Sequence, residues 1–287
     1  MVGRGLIIVA AGFALFSAVL SLREEDPALA SSARRAAVAS FLAVLLALAL
    51  LWVALFRRDF SIAYVAQQTT TRTSLLYTFA GLWGGMAGSL LLWSAMLAGY
   101  GAAVAKRARG RAGGIVLATV QVTTAFFILL TGLAANPFAA SEVVPADGRG
   151  LNPLLHSWGM AAHPLLLYLG WTGTTVVFGW ALAGVITRTP WVTRARRWTL
   201  FSWLTLGSSL VVGGAWAYTE LGWGGVWGWD PVENAPLLSF LALTALLHSQ
   251  QVEERRGLLR TWNASLAALA FLLAILGTFL TRSGSLY

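Results

Sequence analysis

Residues 36–56, AAVASFLAVLLALALLWVALF, run the width of a membrane without one charged side chain. A helix needs about 20 apolar residues to cross the hydrocarbon core, because each residue advances its axis by about 1.5 Å. This stretch has no polar face to turn toward water, so it is read as a transmembrane helix. Comparable stretches recur at about 5–22, 86–104, 115–134, 161–186, 198–217, 231–250 and 260–280. The expected architecture is all-α: a polytopic membrane bundle of about eight transmembrane helices. Residues 1–287 form a single membrane domain, with no separate soluble domain. Residues 75–87 are a further apolar stretch, which either lies flat at the interface or extends the third span. Composition agrees, at 57% hydrophobic and 11% charged with a mean hydropathy of +0.71, far outside the soluble range. The first span begins almost at Met1 and lacks an A-x-A-type cleavage site, so it reads as a retained helix rather than a removed signal peptide.

Charge sets the topology. Fourteen of the twenty cationic side chains, Arg34, Lys106, Arg197 and Arg256 among them, fall in one set of alternate loops. The termini and the other loops hold only Arg4, Arg57, Arg58, Arg72, Arg149 and Arg282. Cytoplasmic loops are enriched in Lys and Arg, so the N-terminus is expected on the outer side of the membrane. These cations lie in short loops beside spans with no interleaved aromatics, and the net charge of +9 therefore points to membrane lipid rather than nucleic acid.

Cysteine is absent, which excludes thiolate ligation of iron or zinc and any thiol–disulfide exchange by this chain. No phosphate-cradling glycine loop, nucleophile elbow or zinc-spaced histidine pair occurs.

The polar chemistry gathers between the sixth and seventh spans. Residues 216–235, WAYTELGWGGVWGWDPVENA, carry Trp216, Trp223, Trp227 and Trp229 and no cation, and charge places them on the outer side. Indoles present broad apolar faces that stack on π-systems, so the loop is a platform for a flat, apolar ligand. An interfacial aromatic belt is the alternative, although belts scatter their rings over several spans. Asp230, Pro231 and Glu233 fit the N-cap, first and third positions of a helix with a capping box. That gives Asp230 and Glu233 a structural reason to be there and fixes the platform to a rigid helix.

Three histidines occur. His163 precedes Pro164, which suits the first turn of the fifth span, so His163 is expected at the outer rim on the side of the Trp loop. His248 follows Asp230 by eighteen residues, about 27 Å of helix, near the inner end of the seventh span. His156 lies in the outer loop and reads as a solvated histidine. Each of the other two, taken alone, is more often a hydrogen-bonded structural residue than a ligand. A neutral imidazole beside an aromatic platform, in a chain without thiols, is nonetheless a natural axial ligand for haem.

Several stretches resemble, in order, the tryptophan-rich haem-handling proteins of the CcmF branch of the CcmF/CcsA cytochrome c assembly family. They are LWGGMAGSLLLW (82–93), NPF (136–138), GRGLNPLLHSWGMAAHPLLLYLGW (148–171), RRWTLFSWLTLG (196–207), GAWAYTELGWGGVWGWDPVENAPLL (214–238), TALLHS (244–249) and LGTFLTRSG (276–284). The ending DPVENA favours this branch over the haem-delivery branch. The resemblance implies a protein of the bacterial inner membrane that serves c-type cytochrome biogenesis. It would hold haem b at an outward loop, residues 218–236, and present it for covalent ligation to a reduced apocytochrome c, as a component of a haem lyase. Haem-binding residues implied are Trp216, Trp223, Trp227, Trp229 and Asp230, with His163 and His248 as axial ligands to two haem irons. Implied partners are apocytochrome c, a haem-delivery chaperone and thiol-reducing assembly proteins. The family's second histidine for each haem lies beyond the position of Tyr287. The chain is therefore expected to match the N-terminal portion of a longer or split protein, with a further polypeptide supplying those histidines. Met86-Ala87 departs from the family, where relatives commonly carry a polar residue and a Glu. A haem chaperone without ligation activity and a scaffold subunit are the alternative functions.

Overall fold

The computed structural model describes residues 2–23, 25–107, 109–152, 155–220 and 224–282. Among them ten helices follow in order: α1 (Val2–Ser21), α2 (Pro27–Arg57), α3 (Ala63–Gln68), α4 (Leu75–Gly84), α5 (Met86–Arg107), α6 (Gly110–Leu133), α7 (Trp158–Thr187), α8 (Val192–Glu220), α9 (Pro231–Arg256) and α10 (Arg260–Arg282). One bridge, between Ile62 and Ala140, is the β pairing found among the described residues. The all-α membrane bundle is thus what the chain forms.

Two helix groups make up the bundle. α1, α2, α5 and α6 close one ring of neighbours, and α7, α8, α9 and α10 close another, with α6 packed on α7 between them. Seven helices (α1, α2, α5, α6, α7, α8 and α10) are long and apolar enough to cross a membrane. The eighth expected span lies in α9, which is 26 residues long but carries Glu233, Glu253, Glu254, Arg255 and Arg256. It is flanked by α8 and α10. Alternation of the long helices puts the starts of α2, α6, α8 and α10 at one end with the Arg and Lys clusters. The opposite end carries α3, α4, residues 134–152 and 155–157, and the described part of the Trp loop.

Packing follows the logic of lipid, where small residues let helices approach and exposed apolar side chains are at home. Ala10, Ala14, Ala33, Ala37 and Ala47 are buried in the first group, while Phe13, Phe16, Leu42 and Leu46 face outward. Ser17 and Ser40 donate across the α1–α2 contact to the carbonyls of Ala33 (2.8 Å) and Ala10 (2.9 Å). Asp26 caps α2, accepting the N–H groups of Ala28 and Leu29, and Pro27 takes the first position.

The apolar stretch at 75–87 does not simply extend the next span. It is a separate helix, α4, broken from α5 at Gly85. Tyr64 mends the break: its hydroxyl donates to the Leu82 carbonyl (2.8 Å) and accepts the Gly85 N–H (3.1 Å). Gly88 cannot bear a side chain, because a Cβ there would overlap the Leu82 carbonyl. Met86 opens α5 with about half its surface exposed, and Ala87 is half-buried behind it. Residues of the 134–157 segment are tied down on α3 and its neighbours. Ser141 N–H donates to Ser61 (2.8 Å), Arg149 N–H to Ala66 (2.7 Å), and Asp147 accepts the Thr71 N–H and hydroxyl (both 2.8 Å).

Candidate functional site

The site is built on the antiparallel seam of α7 and α8. Along it Gly159 meets Trp216, His163 meets Gly213, Gly170 meets Leu206 and Gly173 meets Ser202. At three of these four levels α7 supplies a glycine and α8 the larger group; at the His163 level the order is reversed. A Cβ at Gly213 would stand 2.7 Å from His163 Nδ1, and one at Gly159 would overlap Trp216. The glycines therefore let a large ring from the facing helix lie against backbone.

His163 is the sixth residue of α7 and partly buried. Its Nδ1 lies 2.9 Å from the Ser209 carbonyl and 3.4 Å from the Ser209 hydroxyl. A carbonyl oxygen only accepts, so Nδ1 carries the hydrogen and Nε2 keeps the lone pair. That is the tautomer of a metal-ligating imidazole whose other nitrogen is anchored by the protein. The Trp216 ring lies 5.9 Å away, tilted by 46°.

Pro164 is not in the first turn of its helix. Ser157 caps α7, accepting the Gly159 N–H at 3.2 Å, so the helix starts at Trp158 and Pro164 falls in the second turn. Proline there leaves the carbonyl four residues earlier without a helical donor. The Trp83 indole takes the vacant place, donating to Met160 at 2.9 Å. Hence α4 braces the turn from which His163 projects.

The Trp loop is narrower than residues 218–236. α8 continues to Glu220 and α9 begins at Pro231, so the described irregular part is 224–230. It folds back on α8, where a Cβ at Gly214 would stand 3.2 Å from the Val226 carbonyl. Asp230 is the N-cap as expected, accepting the Val232 N–H at 2.7 Å, with Pro231 first in the helix. Glu233 departs from the capping box: it accepts the Gly228 N–H at 2.8 Å, two residues before the cap. Asn234 donates to the Trp229 carbonyl at 3.0 Å. These two bonds hold Trp229 at φ 58°, a left-handed conformation unusual for a bulky side chain.

Trp229 is 74% exposed and stands edge-on to Trp227, with ring centroids 6.3 Å apart. Trp227 is half-buried. Among the described residues the indole nitrogens of Trp216 and Trp227 are buried without a hydrogen-bond partner, as are those of Trp93 and Trp180 away from the loop. Trp223 lies outside the described residues.

The other histidines lie apart. His156 is exposed but not merely solvated, since it stacks on Tyr77 with centroids 4.7 Å apart. His248 is on the exposed face of α9 toward the basic end, its Nδ1 2.8 Å from the Thr244 carbonyl. The structure thus joins His163 with Trp216, pairs Trp227 with Trp229, and separates His248 from both. Sequence reasoning missed Ser209, Gly213 and Trp83. Gly213-Gly214, just before Trp216, was the signal that α8 is closely approached there. No group of three or more His, Asp or Glu able to hold a bare metal ion occurs among the described residues.

Relatives share both the sequence and the shape. The cytochrome C assembly protein family matches residues 83–286. The cytochrome c-type biogenesis protein CycK of Rhizobium meliloti is 43% identical over 93% of this chain and 40% of its own length. The cytochrome c-type biogenesis protein CcmF of Escherichia coli is 40% identical over 99% of this chain and 46% of its own. A solved structure, the cytochrome c heme lyase CcmF, superposes with a TM-score of 0.87 at 35% identity, covering 99% of this chain and 47% of that one. The chain spans less than half the length of these relatives. On the family match and the shared fold, this chain belongs to the cytochrome c assembly protein family, in its CcmF branch.

Proposed function

We propose that this chain carries the haem-presenting site of a c-type cytochrome maturation protein. Haem is held against the Trp loop with His163 Nε2 as an axial ligand, for covalent attachment to an apocytochrome c. The carrying observation is the Ser209 carbonyl on His163 Nδ1, which fixes the tautomer and aim of the ring beside Trp216. Trp216, Trp227 and Trp229 supply flat apolar contact, with Trp223 as a further haem-binding residue of the family motif. Asp230, Glu233 and Asn234 act by positioning, through the backbone of 228–232. In maturation the cysteine thiols of the apocytochrome add across the haem vinyl groups. This chain has no thiol of its own. Its part is to orient the porphyrin and exclude competing reactions.

The basic end faces the cytoplasm and the Trp loop faces outward, on the distribution of cations. His248 would hold a separate, resident haem b toward the inner side: its Nδ1 lies 2.8 Å from the Thr244 carbonyl, which leaves Nε2 available to a ligand. The second histidine for each iron comes from further polypeptide. A haem-delivery chaperone and thiol-reducing proteins complete the assembly.

Adding haem to the purified chain and recording optical spectra tests the ligand assignment. Loss of the His163 site's share of the Soret absorbance in His163→Ala, with the share due to His248 left in place and His156→Ala unchanged, is the expected result; equal behaviour of the two variants sinks it. Covalent attachment to a reduced CxxCH apocytochrome in a reconstituted system then separates ligation from haem carriage alone.

A further inference from the structure

At the basic end, α2 and α5 part to leave a cleft of about 470 Å³ outside the site described above. Arg34, Arg35, Lys106 and Arg109 line it together with Ser31, and its remaining walls are Val38, Ala39, Leu42 and Ala105. No carboxylate is among these lining residues. On α2 the lining positions run 31, 34, 35, 38, 39 and 42, one helical face in which polar and charged groups give way to apolar surface. From Arg34 to Leu42 this face extends about 12 Å along the axis, toward the centre of the span.

That order of chemistry matches one kind of molecule. A phosphate at the level of the cations, continuous with an acyl chain lying along Val38, Ala39 and Leu42, uses both halves of the cleft. A free anion would use only the charged rim, and an uncharged lipid only the wall. We propose that this cleft is a binding site for an anionic phospholipid of the leaflet at the basic end of the bundle. Guanidinium groups suit the phosphate because their planar donors meet two oxygens at once, while the lysine adds a compact charge. Basic pockets between transmembrane helices are where acidic headgroups are retained in general. A second cleft, of about 560 Å³, offers an internal contrast. It is lined by Ile115, Val122, Phe178, Leu182 and Phe271 with Arg111 as its single cation, and so lacks the charge needed to choose acidic lipid.

The full chain is reconstituted in phosphatidylcholine vesicles with and without phosphatidylglycerol, re-extracted, and its retained lipid read by native mass spectrometry. Wild-type protein is expected to retain phosphatidylglycerol in preference to phosphatidylcholine. The combined variant Arg34→Gln, Arg35→Gln, Lys106→Gln should lose that preference by at least about tenfold. A charge-matched control, Arg197→Gln, Arg255→Gln, Arg256→Gln, removes three cations from the same end outside the cleft and should keep it. Val38→Trp fills the apolar wall without touching a charge and should also lose retention, which covers the case in which the triple cleft variant fails to fold. Absence of preference in the wild type, equal loss in both triple variants, or retention by Val38→Trp overturns the proposal. So does displacement of the lipid by inorganic phosphate, which would mark a free-anion site.

Discussion

His163 and Gly213 are in contact through an absence: where any other residue would carry a Cβ, the Nδ1 of the imidazole stands 2.7 Å away. The ring is therefore seated by the lack of a side chain on α8 as much as by the Ser209 carbonyl. Gly213→Ala should push His163 off that carbonyl, cost on the order of 1–3 kcal/mol, and lower haem retention while the ligand itself remains. Gly12→Ala, in open space on α1, should change neither. Soret absorbance and thermal unfolding of the two variants check this; an unchanged Gly213→Ala protein would show that the seat is not tight.

Coordination number gives a second test. Among the described residues only His163 lies beside the Trp platform, and His156 is stacked on Tyr77. Haem bound by these 287 residues alone should be high-spin with one histidine, and added imidazole should convert it to a low-spin form. A low-spin spectrum without imidazole would mean that another side chain completes the site.

Glu233 and Asn234 hold the Trp loop from the first turn of α9. Loss of the Glu233 bond to Gly228 in Glu233→Ala should cost about 1 kcal/mol, about fivefold in haem retention. Trp229 should relax from its left-handed backbone and its fluorescence should shift. Glu233→Gln keeps an acceptor oxygen and should show a smaller effect. If Glu233→Ala leaves both readouts untouched, the loop holds its shape by other means.

Much of this was legible in the chain. Length and apolarity placed the long helices, and DPVENA identified the start of α9 with its cap. The carboxylate of Glu233, by contrast, was assigned to the wrong N–H. Capping-box geometry assumes a regular chain before the cap, and Trp229 at positive φ turns the Gly228 N–H toward the helix instead. Pro164 misled for a related reason: proline suits a first turn, but an indole from α4 replaces the missing bond and lets the helix start earlier. Both errors come from partners distant in sequence or from a local conformation that residue type alone does not dictate.

Asp147 makes a pH-dependent tie. Its carboxyl is held below the usual value of 3.8, chiefly by the Thr71 backbone N–H and then by the Thr71 hydroxyl. A carboxylate depressed in the folded state stabilises above its ordinary pKa, and the contribution is lost as pH falls through the lower folded value. Hydrogen-exchange protection of the Thr71 amide should therefore hold at neutral pH and decline in acid below 3.8. In Asp147→Asn that acid step should vanish; a step that persists would assign it to another group.

The short connection between α7 and α8 has a consequence for biosynthesis. Only residues 188–191 separate the two helices, and their facing surfaces hold the imidazole, its anchoring carbonyl and the Gly213 gap. A helical hairpin of this kind can close as soon as its second arm enters the bilayer. The bonds that shape the Trp platform instead wait for Glu233 and Asn234, which leave the ribosome later. In the growing chain the anchored imidazole of His163 is therefore in place before the Trp loop is held down, so during synthesis the proposed site is a histidine without a lid.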